Sequence, residues 1–292
     1  MKITVLRALL MLLLLACSED KELGNIPDLE LDYVLPQGGS PADDRIVEYY
    51  NKYGSYILYK FTERDFEWTQ IANSTLSGTY IYSAADPNYV GNMLDLLEEI
   101  WFGFYPDDFL RKTIPYKVFL TATLDWMAFG FPISRYSRSG ENQIAIGYCS
   151  DTLTKFSSTT KLEFKIWLQR ELWLGWLNTG LIQIPDAFYL VSDYGSAASV
   201  DDPSSPNYAR ARGFVADGYG YEWCTFTDWT TGKLRMTDDS AAFIGGMVTR
   251  TSEEWAADLE FPLVKEKYDI LRNYIQDAYG FDIQSIGNAL YN

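Results

Sequence analysis

Histidine is absent from the 292 residues of this chain. Because histidine is the commonest general base and the commonest zinc ligand in proteins, its absence excludes Ser-His-Asp and Cys-His mechanisms and the usual zinc sites. Any catalysis must therefore use carboxylates, lysine, tyrosine or cysteine. This one absence removes most familiar classes of hydrolase.

Positive charge is also scarce, since 24 Lys and Arg residues stand against 40 Asp and Glu residues and the formal net charge is −16. The acidic residues are spread along the chain, and no basic stripe interrupts them. Nucleic acid is therefore not expected as a partner, because its phosphates require a basic surface. Anionic lipid headgroups should likewise repel the body of the protein.

Cysteine occurs only as Cys17, Cys149 and Cys224, which is too few for a disulfide-dense scaffold. In an oxidising compartment Cys149 and Cys224 could form one disulfide, or both could remain buried thiols. The sequence leaves these alternatives open, because it does not show whether the two Cα atoms approach within about 7 Å.

Long apolar runs are missing too, and none reaches the about 20 residues that a transmembrane helix requires. Residues 8–15 form a shorter apolar run that follows Lys2 and Arg7 and ends in Leu14-Leu15-Ala16-Cys17. This order is typical of a cleavable signal peptide over residues 1–16. The ending resembles the bacterial lipobox, which implies that Cys17 is acylated and anchors the protein to a membrane. An ordinary signal peptide with an incidental cysteine is the alternative.

The residues after Cys17 are polar, and they predict a lipidated tether over residues 17–40. Its first residues, Ser18-Glu19-Asp20-Lys21-Glu22, are acidic. They resemble the surface-export tag of Bacteroidetes lipoproteins, although a solvated tether would have the same composition. We therefore expect an outer-membrane lipoprotein of the cell envelope that is exposed on the cell surface.

Residues 41–292 predict a single domain with an α+β fold, and the 47% apolar content suffices for a substantial core. Strands are predicted early, at 56–61, 79–83, 116–122 and 143–147. A first helix should begin at Ser40-Pro41 and end at Gly54, and further helices are predicted at 89–102, 158–177, 238–249, 253–259, 262–279 and after Asp282. The domain is thus expected to contain a mixed α/β part, 41–157, and a helical part, 158–292.

One predicted helix contains a charged residue, Glu171, in an apolar segment, which makes it a candidate for function. Residues 161–177 are largely apolar, yet Arg170 and Glu171 lie in the middle of the segment among Trp167, Leu172 and Trp173. A carboxylate in such surroundings is costly unless it is paired or protonated. Glu171 is therefore either a functional acid or a carboxylate with a structural partner.

Three parts of the chain resemble one family. They are residues 44–68, with their core Lys52–Phe61, the stretch Arg212-Gly213-Phe214-Val215, and the helices between Asp238 and Leu290. They are similar to the zinc-binding metallopeptidase lipoproteins of Bacteroidetes, also called substrate import-associated zinc metallohydrolase lipoproteins. The resemblance implies a zincin-like metallopeptidase fold, with a small early sheet and a mainly helical half around the active-site helix.

The active-site helix of that family carries His-Glu-x-x-His, in which two histidines bind zinc and the glutamate activates the metal-bound water. The matching positions here are Arg170, Glu171 and Leu174, so that only the glutamate is retained. The stretch matching the third ligand places Ala242 at the carboxylate position. The resemblance therefore implies that zinc, the family's cofactor, is lost, and the Arg170 cation should repel it.

Several residues remain candidates for ligand binding. Tyr219, Tyr221 and Trp223 lie in a glycine-flanked, loop-like stretch, where their rings could stack on a glycan or peptide, or could instead be part of the core. Arg170 could clamp a ligand carboxylate or could fill the former metal site as a salt-bridging replacement. Glu171 could be a relic general base or could be held by an arginine or a backbone group.

These observations lead to three hypotheses of function. The first, which we predict, is a catalytically degenerate metallopeptidase-like surface lipoprotein that serves as a binding or accessory component of nutrient import. Its ligand would be a glycan or peptide and its partner a TonB-dependent importer. The second is an active hydrolase that uses Glu171 with a non-standard metal or carboxylate site, and the third is a structural or adhesive envelope protein.

Overall fold

The computed structural model describes residues 33–66, 80–128, 130–140, 142–195, 201–216 and 234–291. Within them the longest strand, β3 (Lys117–Ala128), organises the sheet, because four of the five other strands pair with it. These five strands are β1 (Tyr56–Leu58), β2 (Tyr80–Ala84), β4 (Phe131–Ser134), β5 (Ser137–Gly140) and β6 (Gln143–Ile146).

The first half of β3 is the buried centre of the sheet. Val118 lies in register with Ile57 of β1 and with Ile144 of β6, and both pairings are parallel. Val118, Phe119 and Leu120 are fully buried. A strand covered on both faces is expected to be continuously apolar rather than alternating, which is why this segment could be recognised from the sequence.

The second half of β3 extends past the parallel core and pairs antiparallel with β2 on one side and β4 on the other. β5 pairs antiparallel with β6, where Arg138 faces Ala145, and is an edge strand among those described. The sequence analysis did not predict β4 and β5. β4, Phe-Pro-Ile-Ser, is only four residues long and contains a proline, which weakens a strand signal, and β5, Ser-Arg-Ser-Gly, has no apolar side chain.

The strand predicted for 56–61 ends earlier, at Leu58. The Gln37 side chain accepts hydrogen bonds from the backbone N–H of Tyr59 (2.9 Å) and of Lys60 (3.2 Å), and these groups are then unavailable to a neighbouring strand. Gln37 also donates to the Lys60 carbonyl at 2.6 Å. The last residues of the predicted tether therefore contact the end of β1.

Helices pack against this sheet and predominate among the described residues after β6. They are α1 (Asp43–Tyr53), α2 (Val90–Ile100), α3 (Asp107–Thr113), α4 (Ser158–Asn178), α5 (Asp186–Leu190), α6 (Met236–Thr249), α7 (Ser252–Trp255), α8 (Pro262–Tyr279) and α9 (Gln284–Asn288). With strands early and helices late, the predicted α+β class is confirmed. None of the described helices is long and apolar enough to span a membrane.

Some helix ends follow local signals that the sequence shows. α1 ends at Gly54, whose φ of +72° is the left-handed conformation that glycine adopts without strain. The Asp282 carboxylate accepts a hydrogen bond from Gln284 N at 3.1 Å at the start of α9. The prediction for the first helix was two residues early, because Ser40 Oγ binds Ala42 N (3.1 Å) ahead of the first turn.

The central helix α4 buries polar side chains along one face. Lys165 Nζ donates to the carbonyls of Ile286 (2.7 Å) and Ala289 (2.8 Å), at the end of α9. Gln169 Nε2 donates to the Ile100 carbonyl at 2.7 Å, and Trp173 Nε1 donates to Tyr105 Oη at 2.9 Å. These bonds satisfy groups that would be costly to bury unpaired, and they fix α4 against α2 and α9.

The described residues from Leu35 onward form one compact unit. The predicted signal peptide, 1–16, and the predicted lipidation site, Cys17, lie outside the described residues. Cys224 also lies outside them, so both alternatives for Cys149 and Cys224, one disulfide or two buried thiols, stay open. Cys149 itself is fully buried beside β3, and burial raises the pKa of its thiol to about 12.

We expect the Cys149 thiol to resist iodoacetamide in the native protein at pH 8. The thiolate is the reactive form, and with a pKa near 12 it is almost absent at this pH. After unfolding in guanidinium chloride without reductant, Cys149 should be alkylated, as peptide mapping by mass spectrometry would show. Alkylation that requires prior reduction would instead establish the disulfide with Cys224.

Candidate functional site

A cleft of about 710 Å³ lies between the second half of α4 and the edge strand β5. The segment between β4 and β5 and Tyr80 of β2 complete its wall. The α4 residues that line it include Trp167, Arg170, Glu171 and Leu174, which share one helical face because they are three or four positions apart. The cleft therefore contains both residues that the sequence singled out, Arg170 and Glu171.

Glu171 has a structural partner for each carboxylate oxygen. Ser137 Oγ donates a short hydrogen bond to Oε2, and the backbone N–H of Ser139 donates another to Oε1. Both donors belong to β5, and the N–H of Ser139 lies on the side of this strand that no described strand covers. Glu171 thus connects α4 to the sheet edge, which explains how a carboxylate is tolerated in this apolar helix.

The residues present do not fit a zinc ion bound as in the resembling family. Arg170 and Leu174, at the two histidine positions, offer no metal ligand, and the Glu171 carboxylate is engaged with β5. Ala242, at the position matched to the third ligand, is 1% exposed and has no donor atom. Among the described residues, no group of three Asp, Glu, Cys or His side chains is placed to hold a metal.

Among the described residues that line the cleft, three are arginines, Arg135, Arg138 and Arg170, and one, Glu171, carries a carboxylate. This local excess of positive charge contrasts with the net charge of −16 for the whole chain. The carboxylates flanking the cleft bind hydroxyl groups, since Ser134 Oγ donates to Asp125 at 2.7 Å and Tyr136 Oη donates to Glu163 at 2.9 Å.

Aromatic rings hold two of these guanidinium groups. Arg135 Cζ lies 5.0 Å from the ring centre of Trp126 and 5.7 Å from that of Trp167, and Arg138 Cζ lies 4.9 Å from the ring centre of Tyr80. Such cation–π contacts orient a guanidinium while leaving its edge available. Arg138 Nε is buried and has no hydrogen-bond partner among the described residues.

Tyr80 contributes a neutral phenol hydroxyl group to the cleft wall. Burial raises the pKa of its phenol, an effect that the Arg138 cation opposes and the Glu171 carboxylate reinforces. A smaller cavity of about 350 Å³ lies between the end of α4 and the start of α6 and shares Leu174 and Asn178 with the cleft. The wall of the cleft thus combines cations, aromatic faces and hydroxyl groups.

A buried ion pair lies on α6 and α8, next to the stretch matched to the third zinc ligand. Lys267 Nζ is 2.5 Å from Asp239 Oδ2, and both side chains are 0% exposed. Lys267 also donates to the Gly213 carbonyl at 2.9 Å, and Tyr194 Oη donates to Asp239. Burial raises the pKa of Asp239, while the Lys267 cation opposes this shift.

Rings enclose the Lys267 ammonium group, with the centres of Phe188, Phe214 and Phe243 at 4.6, 4.7 and 5.1 Å. This cluster fastens α6, α8 and the segment around residue 213 to one another. The sequence analysis missed the pair, since its partners are 28 residues apart and neither stands in a recognisable motif.

Sequence analysis also missed Arg135 and Arg138, because β5 and the segment before it carry no strand or motif signal. The other predicted ligand-binding residues, Tyr219, Tyr221 and Trp223, lie outside the described residues, so their role stays a prediction. The described site therefore consists of the cleft between α4 and β5.

Comparison with known proteins gives little further guidance. No family model matches the chain, and no curated protein matches it. A crystal structure of a "putative zinc-binding metallo-peptidase" from Bacteroides caccae is similar with a TM-score of 0.46 and 13% identity, covering 84% of this chain and 88% of that chain. A similarity this weak carries no argument about function, which must come from the residues themselves.

Replacing Glu171 with alanine should lower the free energy of unfolding by about 1–3 kcal/mol, because two β5 donors lose a charged acceptor. Glu171→Gln should cost less, since its carbonyl oxygen can still accept one bond. Urea unfolding measures both variants, and amide exchange at Ser139 should accelerate in Glu171→Ala. The exposed Glu48→Ala is the control and should change stability by less than about 0.5 kcal/mol. Unchanged stability and unchanged exchange at Ser139 would contradict this assignment.

Lys267→Met should destabilise the protein by about 3–5 kcal/mol, because it leaves the Asp239 carboxylate buried without its counter-charge. The double variant Lys267→Met/Asp239→Asn removes both charges and should regain a large part of this loss. Denaturant unfolding of the single and double variants measures the difference. Lys265→Met, which removes an exposed lysine of the same helix, is the control. A double variant no more stable than Lys267→Met would show that the charge pair is not the cause.

Proposed function

We propose that this chain is a surface-exposed lipoprotein whose metallopeptidase-like domain binds a ligand without hydrolysing it. It would be anchored in the outer membrane through Cys17 and would serve a nutrient import system together with a TonB-dependent importer. The lipobox-like ending at Cys17, the acidic residues that follow it and the family resemblance of the sequence support this assignment.

The observation that carries the non-catalytic part of the proposal is the position of Glu171. A general base must be in contact with the proton that it removes, whereas both oxygens of this carboxylate accept hydrogen bonds from β5. Its sequence neighbours Arg170 and Leu174 replace the two histidines that would bring zinc and its activated water. The residue that resembles a catalytic base thus has a structural role in this fold.

The cleft supports binding as the remaining activity. Its volume of about 710 Å³ lies within the usual range for ligand pockets, about 300–1,000 Å³. The wall presents charged, aromatic and hydroxyl groups to solvent rather than packed apolar side chains. A purely structural or adhesive protein would have no use for such a cleft beside Arg170 and Glu171. We therefore rank that hypothesis below ligand binding.

Elemental analysis and hydrolysis assays test this proposal. We expect the purified protein, prepared without a histidine tag or chelator, to contain well below one zinc or other transition metal ion per chain. It should cleave neither casein nor mixed oligosaccharides, and added zinc should not change this, because the described residues contain no ligand set that could hold the ion.

Glu171→Gln is the matched variant for these assays and should behave like the parent protein. Near-stoichiometric metal together with a hydrolytic activity that Glu171→Gln abolishes would overturn the proposal and would establish the hydrolase instead. Activity that is insensitive to this variant would overturn it as well, and would place catalysis elsewhere in the chain.

A further inference from the structure

We infer that the cleft between α4 and β5 binds acidic oligosaccharides, sugar chains that carry carboxylate groups. This inference rests on the proposed function and specifies its ligand. Neither the family resemblance nor the sequence motifs point to this chemistry, because two of the three arginines that carry it lie on or beside strand β5, which the sequence did not predict.

The charge of the cleft selects for anions. Arg135, Arg138 and Arg170 line it with one carboxylate, that of Glu171, and Glu171 is already engaged with Ser137 and Ser139. In a chain with a net charge of −16, an anionic ligand is repelled by most of the surface and attracted mainly where the arginines cluster. A cleft with walls of low dielectric strengthens that local attraction.

The geometry of the arginines suits carboxylates in particular. A planar guanidinium can donate two parallel hydrogen bonds to the two oxygens of a carboxylate. Arg135 is held against Trp126 and Trp167, and Arg138 is held against Tyr80. Because these rings fix the guanidinium planes before the ligand arrives, less side-chain entropy is lost on binding.

The remaining groups of the wall suit sugar rings. Tyr80 and Trp167 are half-buried and line the cleft, and aromatic faces of this kind stack on the apolar faces of sugars. The Tyr80 phenol is neutral and can donate to a hydroxyl group of the ligand, and Asn178 and the β5 serines add further polar groups. Arginines that can bind carboxylates, placed beside aromatic faces, fit a chain of sugar acids better than they fit an isolated small anion.

The edge strand argues against an acidic peptide as the ligand. An extended peptide would bind here by pairing with the free edge of β5, as in other cases of strand addition. The outward N–H of Ser139 on that edge already donates to Glu171, and β5 spans only Ser137–Gly140. A peptide strand would have to displace the Glu171 carboxylate, whereas a sugar chain would not compete for this backbone group.

Isothermal titration calorimetry with oligogalacturonate, a chain of galacturonic acids, tests the inference on the purified protein. The matched probe is the same oligomer with its carboxylates methyl-esterified, which keeps the sugar rings and removes the charges. We expect saturable binding of the acid form, at least tenfold weaker binding of the ester, and affinity that falls as sodium chloride is raised from 50 to 300 mM.

Variants locate the binding in the cleft. Arg138→Gln and Arg135→Gln should each weaken binding of the acid oligomer at least tenfold. Arg138→Lys keeps the charge without the planar fork and should fall between Arg138→Gln and the parent protein. Arg111→Gln removes one exposed arginine from α3, outside the cleft, and should bind like the parent. Thermal melts check that each variant is folded, and Arg138→Lys supplies the test if Arg138→Gln is not.

Three outcomes would overturn the ligand class while leaving the non-catalytic binding function standing. They are equal affinity for the acid and ester oligomers, equal affinity of the Arg138→Gln and Arg111→Gln variants, and tighter binding of an oligoglutamate peptide than of oligogalacturonate. Shortening of the oligomer during the titration, detected by chromatography of the recovered ligand, would overturn the proposed function itself.

Discussion

The bond between the Glu171 carboxylate and strand β5 is the interaction on which the site depends. It joins the central helix to the edge of the sheet through Ser137 Oγ and the backbone N–H of Ser139. By doing so it satisfies a charge in an apolar helix and covers part of an exposed strand edge. Without it, the outward N–H of Ser139 would lose its acceptor and β5 would keep a free edge.

Helix α4 can have this role because its two faces differ in function. On one face the side chains of Lys165, Gln169 and Trp173 donate hydrogen bonds to backbone and side-chain groups of the core. The other face presents Arg170 and Glu171 to the cleft. The hydrogen bonds of the core face fix the position of α4 along its axis and its rotation about that axis. The cleft face is therefore presented in one orientation. A pre-organised wall of this kind favours binding, because the ligand does not have to order it.

Local signals in the sequence were sufficient for most helices and for the buried strands. Gly54 and Asp282 mark helix ends because capping involves only neighbouring residues, and the apolar run in β3 reflects burial on both faces. Signals of this kind were weak in β4, which is short and contains a proline, and missing from β5, which is short and polar. They are strands because β3 and β6 offer them hydrogen-bonding partners, and that depends on residues distant in the chain.

The sequence by itself determined the chemistry that this protein lacks. Without histidine the chain has no histidine ligand for a metal, and the family resemblance, which places Arg170 and Leu174 at the histidine positions, predicts that zinc is lost. Only the tertiary structure decided what Glu171 does and which cations share its cleft. The reason is that a carboxylate's role depends on the donors around it, and here these donors come from β5, more than thirty residues earlier in the chain.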